Sequence, residues 1–166
     1  ESFNNYSSLE PGVENVQLLA KPFDYSASMG QKVADHQGAH YYTIGQRRGL
    51  HIGGRPNPSF VIGLDVDENI VYSGQKDEHP GLNKYALRIE KDDIHFVANN
   101  FNIKSINNLT CSIKIRYRQP LQDGTIHVLE DGIYVLFNEK QRGITPGQFA
   151  AFYIEEELIA SGIIAH

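Results

Sequence analysis

The chain has a single cysteine, which cannot close an internal disulfide. A disulfide-built secreted scaffold is therefore excluded. No apolar run approaches ~18 residues, which excludes a membrane-spanning helix. The first residues, Glu1-Ser-Phe-Asn-Asn5, are neither basic nor apolar, so no signal peptide is read there. The expectation is a soluble cytoplasmic protein. The sequence does not start with methionine, and a piece of a longer protein is expected. Its 166 residues, 40% of them hydrophobic, suit one ordinary domain or two small ones with a real core.

Acidic residues are missing from two stretches. Residues 36–64 hold three arginines and no Asp or Glu. Residues 94–122 hold Lys104, Lys114, Arg116 and Arg118, again without an acid. On a chain of formal net charge -5, such segregation can build a local positive surface that attracts a polyanion. Chance clustering on solvated faces is the competing reading. The first stretch also contains Gly45, Gly49, Gly53 and Gly54, with Arg47, Arg48 and His51 between them. Glycines let a backbone bend tightly and approach a ligand closely. Guanidinium groups beside such bends suit a phosphate. Alternatively, the arginines pair with the plentiful carboxylates.

Catalytic machinery is scarce. No glycine-rich loop ends in Gly-Lys-Ser/Thr, and no serine sits in a Gly-x-Ser-x-Gly elbow. His36, His40 and His51 match no zinc spacing and read as turn or surface histidines. Cys111 falls on an apolar strand face and reads as structural. No catalytic residue, metal or cofactor is assigned to the chain.

The pattern of elements is mainly β. Residues 13–20 fit a short strand or a helix turn within a loop-rich segment 1–30. A brief strand is expected at 31–34 and another at 40–44. Residues 59–64 and 70–73 form a hairpin across the connection 65–69. A boundary falls at about residue 78, giving a small irregular β-rich domain, 1–78, and a second domain, 79–166. In the second, strands are expected at 85–96, 109–118, 125–129, 133–137, 149–154 and 158–164. Turns are read at Asp123-Gly124, Asp131-Gly132 and Pro146-Gly147, the last suited to type II. The best strand alternates Leu109, Cys111, Ile113, Ile115 and Tyr117 with Thr110, Ser112, Lys114, Arg116 and Arg118. Period two puts the first set in the core and leaves a row of three cations outside. That row can grip a phosphate backbone or keep a sheet edge soluble. Six short strands joined by tight turns indicate an antiparallel barrel or sandwich.

Four motifs then occur in order. They are Tyr42-Thr-Ile-Gly-Gln-Arg-Arg-Gly-Leu50 between His36-Gln-Gly38 and Ile52-Gly-Gly54, then Glu78-His-Pro80, then Lys114-Ile-Arg-Tyr-Arg-Gln119, and Thr145-Pro-Gly-Gln148 with Gly162-Ile-Ile164. Together they resemble the central and C-terminal domains of the tRNA-specific 2-thiouridylases over roughly residues 30–164. The sequence departs from the family's pattern at Ser59, where an aromatic is common, and at Ala160-Ser161-Gly162, where the glycine run is reduced.

The resemblance implies a small β-rich central domain followed by an antiparallel six-stranded β-barrel similar to the barrel of elongation factor Tu. It implies tRNA as partner, with Arg116, Tyr117 and Gln148 as contacts. Gln46, Arg47, Arg48, Lys114 and Arg118 are expected near tRNA or at a domain interface. In the family, a separate N-terminal catalytic domain uses ATP with magnesium to adenylate the wobble uridine. Sulfur from a donor protein, carried by two cysteines, then replaces O2. This sequence has neither the Ser-Gly-Gly-x-Asp-Ser loop nor a matching cysteine, so it is expected to bind tRNA and do no chemistry alone. A protein-interaction barrel that docks a catalytic partner without touching RNA is the competing reading. Tyr117 is where the two lines of reasoning disagree: alternation buries it, and the resemblance places it against RNA.

Overall fold

A computed structural model describes residues 9–166. The loop structure expected for residues 1–8 lies outside the described residues. Among the described residues, eight strands form two sheets. β1 (Ser59–Asp65) and β2 (Ile70–Gln75) make an antiparallel pair joined by residues 66–69. The expected hairpin is therefore present, with β1 one residue longer and β2 two residues longer. The other six strands are β3 (Asn83–Phe96), β4 (Leu109–Lys114), β5 (Gln122–Leu129), β6 (Gly132–Arg142), β7 (Phe149–Ile154) and β8 (Glu157–Ile164). They close an antiparallel barrel in the order β3-β6-β5-β4-β7-β8. The mainly β reading with a six-stranded barrel is borne out.

Alternation drives the closure. In β4, Cys111 and Ile113 point into the barrel, and so do Ala150 and Phe152 of β7. With Ile89, Ile126, Ile133, Phe137 and Ile159 they fill the interior. β3 is long enough to serve both seams. Its first half pairs with β6, its second half pairs with β8, and the register shifts between Ile89 and Ile94. Such an irregularity bends a strand and lets a sheet curl shut. A closed barrel has no edge, and β4 lies between β5 and β7. The edge-protecting role for its charges is therefore overturned.

Three further expectations are corrected. Residues 40–44 are not a strand: Ala39–Tyr41 is a 3-10 turn, and the Ala39 N–H donates to Asn69 Oδ1 at 2.8 Å. Aromatic strand propensity yields here to a tertiary contact. No strand forms at 31–34. Asp123-Gly124 is not a turn but lies inside β5, with Gly124 opposite Phe137. A Cβ at Gly124 would stand 2.8 Å from the Leu136 carbonyl oxygen, so close packing explains that glycine.

Of the two readings open for residues 13–20, the helical one holds: they form a 3-10 turn (Val13–Asn15) and a short helix α1 (Val16–Ala20). Five residues are too few for an isolated helix in water. Val16, Leu19 and Ala20 bury one face against Ala86 and Tyr134 on the outside of the barrel. Phe60 and Ile62 of β1 pack on Leu82 with Tyr25 and Tyr72, whose rings lie 5.2 Å apart. The hairpin thus sits against the entry to β3. Among the described residues, no helix is long and apolar enough to cross a membrane.

Candidate nucleic-acid interface

β4 stops at Lys114, and the period-two burial ends one residue later, at Ile115. Residues 116–119 form a turn, closed by the Gln119 N–H donating to the Arg116 carbonyl at 3.2 Å. Tyr117 and Arg118 occupy its centre. Tyr117 is consequently 90% exposed rather than buried on the core face, and the three cations do not form one strand row. The early end of the strand overturns the burial that alternation gave Tyr117. Lys114 Nζ lies 6.0 Å from the Tyr117 ring centroid, at the outer limit of a cation–π contact.

β7 brings a second turn alongside. Lys114 pairs with Ala151 in antiparallel register, so the chain beyond Lys114 runs past Phe149 and Gln148. Thr145-Pro-Gly-Gln148 is a tight turn in which Gly147 has φ +84° and the Gln148 N–H donates to the Thr145 carbonyl at 3.2 Å. Positive φ at the third position is what a type II turn requires. Two bonds at 2.8 Å, Gly147 N–H to the Ile164 carbonyl and Ile164 N–H to the Gln148 carbonyl, pin this turn to the end of β8.

The third border comes from the glycine and arginine loop. Thr43-Ile-Gly-Gln46 turns with Gly45 at φ +86°. It lies along β1 through Gly45 N–H to the Val61 carbonyl (2.8 Å) and Val61 N–H to the Gln46 carbonyl (2.9 Å). The Gln46 side chain staples its own loop, accepting from Thr43 N–H at 3.1 Å and donating to the Arg48 carbonyl at 2.8 Å. Arg47 and Arg48 follow, exposed. No ion pair engages Arg47, Arg48, Lys114 or Arg118 among the described residues. The reading in which the loop arginines pair with carboxylates is thereby removed.

Two arginines tie this loop to the barrel. Arg116 Nη2 donates to the Gly143 carbonyl at 2.7 Å and to the Ile44 carbonyl at 3.4 Å. Arg142 Nη2 donates to the Gly45 carbonyl at 3.4 Å, and its Nε lies 2.9 Å from Asp77 Oδ1. Its guanidinium carbon also stands 4.8 Å from the Phe60 ring centroid. Desolvation, and then the neighbouring Arg142 charge, pull Arg116 below its ordinary value. Gly143 has φ +67°, and a Cβ there would overlap Arg116 Nη2, so glycine is required by both backbone and neighbour. Arg116 is thus half-buried, with part of its fork committed to the protein itself.

The three borders enclose an open groove of about 710 Å3. Gln46, Lys114, Arg116, Tyr117 and Gln148, all expected site residues, line it together. Arg47, Arg48 and Arg118 are adjacent in the chain but do not line it. Among the described residues, no carboxylate lines it either. The two acid-free stretches of the sequence therefore meet at this groove. Sequence reasoning missed Phe149, which lines the groove 63% exposed, and missed Arg142 and Gly143. An apolar residue directly after the Pro-Gly turn, on the outward side of a strand, was the available signal for Phe149. Nothing local marks Arg142, because its partner Gly45 is 97 residues away.

Elsewhere the chemistry is quiet. His36 Nδ1 accepts from Gly38 N–H at 3.1 Å, and the His40 and Tyr41 rings lie 4.1 Å apart at a tilt of 40°. No group of three His, Cys, Asp or Glu side chains that could hold a metal ion occurs among the described residues. Burial, and then the Asp123 charge, push the Cys111 thiol up to about 12. A thiol so raised is a poor nucleophile.

Comparison with known proteins adds a family context. Residues 24–75 match the family described as tRNA methyl transferase PRC-barrel domain. Residues 88–164 match the family described as Aminomethyltransferase beta-barrel domain. The tRNA-specific 2-thiouridylase MnmA of Christiangramia forsetii is 48% identical over 153 residues, covering 92% of this chain and 39% of that protein. The protein of the same name from Flavobacterium johnsoniae is 44% identical over 152 residues, 92% of this chain and 38% of its own. That from Halalkalibacterium halodurans is 41% identical over 150 residues, 90% of this chain and 39% of its own. The chain spans 38–39% of the length of these relatives.

Proposed function

The chain belongs to the tRNA-specific 2-thiouridylase family, as its central and C-terminal portions, and we propose on that premise that it seats tRNA for an active site carried elsewhere in a longer protein. The observation that carries this reading is the groove. Two acid-free segments border it, Lys114 and Arg116 line it, and Arg47, Arg48 and Arg118 stand exposed and unpaired beside it. Such a surface attracts a polyanion although the chain is acidic overall. Arg118, Arg47 and Arg48 reach phosphates. Tyr117 and Gln148 meet the nucleotides nearest the groove. Arg116 divides its fork between the ligand and the loop that it holds.

The whole protein would adenylate the wobble uridine with ATP and replace its O2 with sulfur from a donor protein in the cytoplasm. Among the described residues the groove has no carboxylate and so offers no ligand set for the magnesium of magnesium–ATP. No adenylation step is therefore assigned to these residues. Their contribution is position and orientation, which can supply a large part of a reaction barrier. The test is retardation of tRNA by the chain at low salt. A shift that weakens steeply with salt supports the reading. No shift, with association to the catalytic portion instead, would make this a docking module.

A further inference from the structure

Phe149 has no part in the core. It opens β7, where Ala150 and Phe152 point into the barrel with no exposure, so alternation turns Phe149 and Ala151 outward. A phenylalanine 63% exposed has no polar tip to satisfy, unlike a tyrosine. Beside it, Ala151 is small and leaves the groove floor open. Tyr117 stands across the same groove, 90% exposed, and no ring contact joins the two among the described residues. Lys114 and Arg116 supply positive charge in the same groove, with no acid in the lining among the described residues. Exposed aromatic rings beside cations, facing an open groove, fit a ligand that is flat, apolar on its faces and anionic along its backbone.

Resting on the tRNA-binding reading, we propose that this groove takes an unpaired nucleotide, whose base stacks on Phe149. A duplex keeps its base faces covered, whereas loops and ends offer them to aromatic side chains. Stacking on one aromatic side chain changes affinity by about 5- to 150-fold. The site therefore selects a looped or single-stranded part of the RNA, and the exposed arginines hold the flanking backbone.

The chain contains no tryptophan, so Phe149→Trp gives it a single one at the site. Its emission is followed while tRNA, a short single-stranded RNA, the same sequence as a duplex, and inorganic polyphosphate are added in turn. Quenching by tRNA and the single strand, but not by duplex or polyphosphate, is expected. Phe149→Leu keeps apolar bulk without a π face. It is expected to weaken tRNA binding about 5- to 150-fold with an unchanged salt slope and thermal midpoint. Unchanged emission, or unchanged affinity in Phe149→Leu, while the parent chain still binds tRNA, overturns the base site and leaves the tRNA reading standing. It would also leave Phe149 to a protein contact. Failure of the parent chain to bind tRNA at low salt overturns both.

Discussion

Replacing Gly143 with alanine attacks the tie between loop and barrel at its narrowest point. Two costs arise, and they can be separated. The backbone at φ +67° is left-handed, which costs a residue with a Cβ about 1–2 kcal/mol. The new Cβ also overlaps Arg116 Nη2 and displaces it from the Gly143 carbonyl, a bond of 2.7 Å. A hydrogen bond from a charged donor is worth about 1.5–3 kcal/mol, and half-burial favours the lower part of that range, about 1.5–2 kcal/mol. The sum for Gly143→Ala is about 2.5–4 kcal/mol. In an Arg116→Ala background the overlap is gone, and only the backbone cost of about 1–2 kcal/mol should remain. The double-mutant cycle should therefore return a coupling of about 1.5–2 kcal/mol. Urea unfolding supplies the four stabilities, compared at constant slope. Additivity within about 0.5 kcal/mol would refute the claim that Arg116 is held by Gly143.

Removing Arg47 and Arg48 together should leave the urea midpoint unchanged, since neither side chain is engaged, yet flatten the dependence of log K for tRNA on log salt by about 1.4–1.8; an unchanged slope would take the loop out of the interface. Cys111 should resist iodoacetamide at pH 8 in the folded chain and react on unfolding in urea, because burial keeps its thiol protonated; rapid labelling without denaturant would contradict that. Burial lowers Lys84 to about 8 from 10.5, so between these values the unfolded chain binds more protons and stability gains as pH rises. The stability difference between parent and Lys84→Met should accordingly shift in the parent's favour from pH 8 to 10, as read by urea midpoints; a flat difference would place the ammonium in water. Burial also holds His79 below its ordinary 6.5, and its Nδ1 accepts the Gly81 N–H at 3.0 Å. Stability should fall as pH drops from 6.5 through the depressed folded value, less so in His79→Gln; equal slopes would remove His79 as a cause.

The barrel was legible because its strands alternate strictly. Ile113, Ile126 and Phe152 fall on one face, and their neighbours fall on the other. Turn chemistry at Pro146-Gly147 was equally plain. What alternation could not give was its own end. Nothing in Ile115-Arg-Tyr-Arg118 says that the strand stops at Lys114, although that stop decides the exposure of Tyr117. Gly124 misled because a close approach between strands and a turn leave the same residue type in the sequence. The 40–44 segment misled because aromatic content reports burial on a sheet only when a partner strand is present, and here Asn69 captures the chain instead.

The candidate site divides along the same line. Its charge signature was visible, since the two acid-free stretches are read directly from sequence. Their meeting at one groove was not, because it depends on contacts spanning long separations, Arg116 to Ile44 across 72 residues and Arg142 to Gly45 across 97. Those contacts also changed the meaning of Arg116. The resemblance makes it a tRNA contact, and the structure makes it also the tether that holds the loop at the barrel's rim.

The most direct test is the backbone amide spectrum of the chain during titration with tRNA at low salt. Signals at residues 43–49, 114–118 and 148–151 are expected to move together, while the acidic turn between β7 and β8 and the helix α1 stay still. Movement confined to another face, or at only one of the three segments, would contradict a single RNA surface built where the two acid-free stretches meet.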